Sequence, residues 1–159
     1  MTLNSLGLNA GKTKDVAKDL NDLLANFQTY YQNLRGIHWN IKGKNFFGLH
    51  VKFEELYTDA NMKVDEIAER VLTLGEIPLH TFDDYIKKAK VPVGKNVSKD
   101  VDAVELIVHS LTELLKLERQ ILDKAGDAND EGTNSMMSDF IAEQEKTVWM
   151  MNAWLEQSI

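Results

Sequence analysis

The chain has no cysteine among its 159 residues and only two prolines. The absence of cysteine excludes disulfide bonds, thiolate metal sites and a cysteine nucleophile, and it is compatible with a reducing cytoplasm. No apolar run approaches the ~18–20 residues that a membrane span requires. The N-terminal segment also lacks the basic start and apolar centre of a signal peptide. We therefore expect a cytoplasmic protein.

Basic residues are in deficit, with 18 Lys and Arg against 25 Asp and Glu, for a net charge of -7. An acidic surface repels nucleic acid and anionic lipid and attracts cations. A DNA-binding tail needs basic side chains to neutralise phosphates. Here the first basic residues are Lys12, Lys14 and Lys18, and the C-terminal LEQSI has none. We therefore predict no appreciable DNA binding at physiological salt.

The spacing of apolar residues at intervals of three and four predicts four long helices. Their expected bounds are about 13–41, 46–74, 98–124 and 135–157. Asn45 and Ser98 are expected N-caps, because their short polar side chains can accept from free backbone amides. The first two helices and the last two are joined by short turns, the second turn being AGDANDEGTN.

One long connection, over 76–98, joins the two helix pairs and contains both prolines, with a short amphipathic helix expected at 81–89. Residues 1–12 are expected to form a short flexible tail, and 13–159 a single domain. An all-α four-helix bundle with one long crossover is typical of ferritin-like folds. The sequence therefore predicts this class.

Four side chains that can bind a metal lie along the second predicted helix: His50, Glu54, Asp65 and Glu69. At ~100° per residue they share one stripe about 100° wide. At ~1.5 Å rise per residue, however, the first pair lies at least ~16 Å from the second, which is too far for one metal centre.

The positions of these residues are symmetric about Asp59 and Ala60. An antiparallel second copy of the helix, crossing on a two-fold axis there, would place His50 opposite Glu69 of the partner subunit. Such isologous contacts are the commonest kind in homo-oligomers. The pattern favours two mixed histidine and carboxylate sites between two subunits, whereas the alternative is a bundle whose acids form only interfacial salt bridges.

His38 joins the predicted site because it ends the first helix, twelve residues before His50. A short turn between antiparallel helices brings the two histidines together. The expected site has two imidazoles and one carboxylate from one subunit and two carboxylates from the other. Such a ligand set suits a borderline divalent metal, Fe(II) or Zn(II).

The string HWNIKGKNFFGLHVKFEELY, followed by DEIAER, closely resembles the Dps family of mini-ferritins. The family pattern is His-Trp, a second histidine after twelve residues, an acid four later, an Asp eleven later, and a Glu-Arg pair four later. Every ligand position is filled, by His38, His50, Glu54, Asp65 and Glu69. Glu54 is Asp in some members, and its longer side chain could change the metal spacing.

The resemblance implies a hollow dodecamer with ferroxidase centres at two-fold interfaces. Such centres oxidise Fe(II), preferably with hydrogen peroxide, and the shell stores the ferric mineral, which suppresses hydroxyl radicals. Dioxygen is the alternative oxidant, and zinc could occupy the same ligands. A nucleoid-compacting DNA-binding shell with secondary iron chemistry is the alternative function, against which the missing basic tail argues.

Two further features follow from the resemblance. Trp39 adjoins the site, where it could intercept radicals, although we expect it mainly to pack beside the turn. Asp127, Asp130 and Glu131 lie where the family lines an iron pore, and an ordinary solvated turn is the alternative.

Overall fold

The computed structural model describes residues 2–159, which fold into five α-helices, with Met1 outside the described part. The helices are α1 (Ala10–Asn40), α2 (Phe46–Thr73), α3 (Phe82–Lys88), α4 (Asp100–Asp127) and α5 (Glu131–Trp154). The predicted all-α bundle with one long crossover is confirmed, and α3 is the short helix of that crossover. None of the helices in the described part combines the length and apolar character that a membrane span requires.

The core forms where the apolar stripes of the four long helices meet. Leu20, Phe27 and Leu34 of α1 are at most 1% exposed, as is Phe53 of α2. The Phe27 ring also packs edge-on against Phe140 of α5, with ring centroids 6.0 Å apart. Each such side chain contributes roughly 1.5–3 kcal/mol when buried. This packing fixes α1 between the other helices and therefore fixes the position of its C-terminal end.

The start of α1 lies three residues earlier than predicted, because Asn9 caps the helix by accepting from the Lys12 amide at 3.0 Å. The last part of the predicted tail is therefore helical. Before it, the Asn4 side chain accepts from the amides of Leu6 and Leu8, each at 3.0 Å, and closes a turn.

The turn between α4 and α5 is much shorter than the ten residues that the sequence suggested. Only Ala128–Asp130 separate the helices, because Asp130 caps α5 by accepting from the Thr133 amide at 3.1 Å. The prediction that Ser98 caps α4 was wrong, since Lys99 holds that position without a side-chain cap. Asn45 does precede α2, but its amide donates to Asp100 Oδ2 at 2.6 Å and joins α2 to α4.

The crossover lacks regular structure around α3, so its backbone polar groups need other partners. Two asparagines of α1 supply them. Asn26 Oδ1 accepts from the amides of Lys90 and Val91 at 2.7 and 2.9 Å. Asn33 accepts from the Gly94 amide at 2.9 Å and donates to the Pro92 carbonyl at 2.7 Å. These bonds fasten the crossover along α1.

A polar pair interrupts the apolar core between α4 and α5. Glu118 is 0% exposed, and its Oε1 accepts from Gln144 Nε2 at 2.7 Å. The other oxygens, Glu118 Oε2 and Gln144 Oε1, are buried without a hydrogen-bond partner among the described residues. Burial raises the pKa of Glu118 to about 8, although Gln144 and, more weakly, Lys63 oppose the shift. The Glu118 carboxyl is therefore held in its neutral form near pH 7.

Candidate metal centre

The two predicted histidines meet where α1 ends and α2 begins. His38 lies in the last turn of α1 and His50 in the first turns of α2. Their rings stack with centroids 3.8 Å apart and planes 12° from parallel. His38 is 8% exposed, and His50 is partly exposed. The structure therefore brings together the two imidazoles that the sequence pairs across a short turn.

Reciprocal hydrogen bonds orient the pair. His38 Nδ1 lies 2.7 Å from the His50 carbonyl oxygen, and His50 Nδ1 lies 2.8 Å from the His38 carbonyl oxygen. A carbonyl oxygen can only accept, so each Nδ1 must carry the hydrogen. In the neutral imidazoles both Nε2 atoms then keep a free lone pair, the form in which histidine binds a metal.

Aromatic side chains surround the histidine pair. Phe46 stacks on His50 at 4.9 Å, and Tyr57 meets His38 edge-on at 5.3 Å. The Tyr57 hydroxyl also donates to Glu54 Oε1 at 3.4 Å, a long bond between residues three apart on α2. Burial, followed by the nearby Glu54 carboxylate, raises the pKa of Tyr57. Tyr57 therefore connects one predicted ligand to another.

Trp39 points away from the core. It is 57% exposed, and the Arg35 guanidinium lies 4.8 Å from its ring centroid. The same guanidinium lies 5.3 Å from the Tyr31 ring. Trp39 thus makes a cation–π contact within the chain. The packing role expected for it would require a surface beyond this single chain.

The three predicted carboxylate ligands Glu54, Asp65 and Glu69 all lie on the exposed side of α2. Only Glu54 lies near the histidines, through Tyr57. Among the described residues, one chain by itself contains no group of three or more histidine and acidic side chains that could hold a metal. The predicted ligands of a single subunit therefore lie in two separate groups along α2, with Asp65 and Glu69 apart from the histidines.

Large apolar side chains share this face of α2 with the acids. Val51, Met62 and Leu72 are 53–59% exposed. With Asp65 and Glu69 they fall within a stripe of ~80° on the helix. These side chains lie 10 or 11 residues apart along the stripe, about 15 Å, and alternate with the predicted ligands. We call this stripe the α2 outer face.

The three acids of the predicted pore differ in environment. Asp127 and Glu131 are exposed on either side of the α4–α5 turn. Asp130 is 1% exposed, and its carboxylate bonds to Arg70 and Thr133.

Comparisons with known proteins place the chain in a well-populated group. Residues 17–158 match the family model of the ferritin-like domain. The DNA protection during starvation protein of Porphyromonas gingivalis is 41% identical over 96% of both chains. The Dps crystal structure from Vibrio cholerae O1, a member of the ferritin-like diiron-carboxylate superfamily, is 48% identical, covers 98% of both chains and has a TM-score of 0.95.

A further solved structure bears on the histidines. It is a Dps variant from Listeria innocua in which two histidines, twelve positions apart, are replaced by glycine. It is 28% identical, has a TM-score of 0.87, and the match covers 90% of this chain and 95% of that one. His38 and His50 have the same separation.

Proposed function

This chain belongs to the Dps family of ferritin-like proteins, and we propose that it is a mini-ferritin. It oxidises Fe(II) at centres between subunits and stores the ferric product inside a hollow homododecamer in the cytoplasm. The observation that carries this proposal is the stacked pair His38 and His50, with both Nδ1 atoms bonded to carbonyls and both Nε2 atoms left to bind iron. The V. cholerae relative belongs to a diiron-carboxylate superfamily, which supports iron as the substrate.

The rest of the site comes from a second copy of the chain. His38, His50 and Glu54 of one subunit face Asp65 and Glu69 of the partner when two α2 outer faces cross antiparallel near Asp59. The exposed apolar side chains of that face support this contact, since each would be covered by the partner. Zinc could occupy the same nitrogen and oxygen ligands.

The chemistry needs little from the protein beyond binding and orientation. Two Fe(II) ions give one electron each to hydrogen peroxide, its O–O bond breaks, and two protons complete two water molecules. The imidazoles and carboxylates hold the iron, and the carboxylates offset the rising positive charge as Fe(III) forms. Because both electrons go to the same peroxide molecule, no hydroxyl radical is released, which protects the cell from oxidative damage.

Stepwise oxidation tests this function. Iron-free protein is loaded anaerobically with Fe(II), and then hydrogen peroxide or dioxygen is added while ferric absorbance is followed. We expect one peroxide to be consumed for every two Fe(II), and oxidation to be faster with peroxide than with dioxygen. Protein-free Fe(II) is the control, and its hydroxyl radical yield should be higher. Oxidation no faster than in this control contradicts the proposal.

We propose that iron reaches the interior past the α4–α5 turn, where Asp127 and Glu131 are exposed and Asp130 holds the turn. Focused negative charge raises cation uptake by 10-fold or more. The Asp127→Asn, Glu131→Gln variant should therefore take up Fe(II) about tenfold more slowly at low salt. The control variant, Asp102→Asn with Glu113→Gln, removes the same number of negative charges from α4, away from this turn. Equal slowing in both variants contradicts a local pore.

A further inference from the structure

Arg70 connects the metal-binding helix to the α4–α5 turn. Its Nε donates to Thr133 Oγ1 at 2.9 Å, and its Nη2 donates to Asp130 Oδ1 at 2.5 Å. The Arg70 side chain is 20% exposed and that of Asp130 is 0% exposed. Arg70, Asp130 and Thr133 together are called the Arg70 latch.

The Asp130 carboxylate accepts three hydrogen bonds within the latch. Asp130 Oδ1 also accepts from the Thr133 amide at 3.1 Å, and Oδ2 accepts from the Thr133 hydroxyl at 2.6 Å. One carboxylate therefore caps α5 and pairs with a guanidinium from α2. Charge-assisted bonds of this kind are about twice as strong as neutral ones and set orientation as well.

Gly132 makes room for the guanidinium. A Cβ at this position would lie 2.7–2.9 Å from the three nearest guanidinium atoms of Arg70, which is closer than real Cβ contacts. The φ of Gly132 is not in the left-handed region, so the requirement is space and not backbone conformation. The first turn of α5 is thus built around the Arg70 side chain.

Glu69, the proposed ligand at this end of α2, immediately precedes Arg70. It lies four residues before the helix ends at Thr73, and its side chain is exposed. Helix ends open more readily than helix centres, although backbone bonds such as that from the Glu76 amide to the Val71 carbonyl close the end of α2. Adjacent residues differ by ~100° around a helix, so Arg70 reaches α5 while Glu69 points outward. Fixing Arg70 therefore fixes the backbone from which Glu69 extends.

We propose that the Arg70 latch positions Glu69 for metal binding across the subunit interface, so that Arg70, Asp130 and Thr133 are positioning residues. This inference rests on the proposed function, because it assigns Glu69 to the iron site. It also gives Asp130 a role different from that of a pore acid. Partners that orient metal ligands are typically worth 10–100-fold in metal affinity or activity.

Three variants test the latch in the assembled protein. Asp130→Asn removes the charge, and Gly132→Ala keeps every charge but displaces the guanidinium. Thr133→Val keeps the shape but removes the hydroxyl that accepts from Arg70 and donates to Asp130. We expect each to raise the KM for Fe(II) about tenfold with a smaller effect on kcat. Zinc affinity, measured by calorimetry on iron-free protein, should fall by a similar factor.

The control is Arg119→Gln, which breaks an exposed ion pair with Glu145 between α4 and α5, away from the latch. It should leave KM and zinc affinity unchanged. If the latch variants lose thermal stability but keep native KM and zinc affinity, the latch is only structural and the inference is overturned. If the unaltered protein neither oxidises Fe(II) nor binds zinc, the proposed function itself fails. Thr133→Val, the mildest change, decides the outcome if the other two do not assemble.

Discussion

Replacing both His38 and His50 by glycine is expected to reduce the rate of Fe(II) oxidation by more than ~100-fold. Even the outer partners of metal ligands are worth 10–100-fold, so loss of two direct ligands should exceed that range. In this structure the two rings are also each other's stacking partners, and each Nδ1 holds the other residue's carbonyl. Neither histidine can therefore substitute for the other.

The matched control replaces the two histidines that lie outside the site. His80 and His109 are exposed, so glycine at both positions should leave oxidation unchanged. Light scattering on both double variants separates loss of ligands from loss of assembly. Because glycine also removes ring packing, a His38→Gln, His50→Gln variant provides a bulkier comparison. Native oxidation rates in the His38 and His50 variants contradict the assignment of the ligands.

The second large effect concerns the buried Glu118, which should make the protein less stable as pH rises. The pKa of Glu118 is about 8 in the folded chain, against an ordinary value of 4.5. Below pH 4.5 the group is protonated in both states. Between 4.5 and 8 the unfolded chain loses this proton while the folded chain keeps it, so the free energy of unfolding falls. Above pH 8 the Glu118 carboxyl is ionised in both states, so it causes no further loss in the free energy of unfolding.

The loss in the free energy of unfolding follows from the size of the Glu118 pKa shift. At ~1.4 kcal/mol for each pH unit, the full window corresponds to about 5 kcal/mol as an upper estimate. A neutral Glu118 also carries a proton on one carboxyl oxygen, so this buried carboxyl can donate as well as accept.

The variant Glu118→Gln tests this account, because a neutral side chain of the same size removes the titration. Its melting temperature relative to the native protein should rise between pH 5 and pH 8, by ~2–4 °C for each kcal/mol. Glu113→Gln, on the same helix but paired with the exposed Lys116, should show no such trend. A native pH profile that is retained in Glu118→Gln places the titrating group elsewhere. Iron-free protein is used throughout, so that metal binding does not contribute.

Helical periodicity was sufficient to predict much of the fold. The spacing of residues such as Leu20, Phe27 and Leu34 follows from helix geometry, and these side chains are buried as expected. The same geometry brings His38 and His50 together, because a connection of only five residues keeps the end of α1 close to the start of α2. The trans arrangement with Asp65 and Glu69 stays a prediction.

Other features depend on contacts between residues far apart in sequence, and periodicity carries no information on these. The family resemblance placed Asp130 among the pore acids, and its pairing with Arg70, sixty residues earlier, could not be read from the spacing. Glu118 lies at the same spacing as the buried Leu111 and Leu114, so periodicity places it on the core face of α4, but the spacing gives no sign of its partner Gln144. The Tyr57 contact with Glu54 is the exception, since their separation of three on α2 could have indicated it.

The central claim is that each iron site is shared between two subunits, and mixing two inactive variants tests it most directly. One variant is His38→Gly, His50→Gly, and the other is Asp65→Asn, Glu69→Gln; each alone should be inactive. In a mixed dimer one site receives its histidines from one chain and its acids from the other, so it is intact. Random pairing should therefore restore about a quarter of native Fe(II) oxidation. If native mass spectrometry finds mixed dimers and oxidation remains absent, the shared site is contradicted.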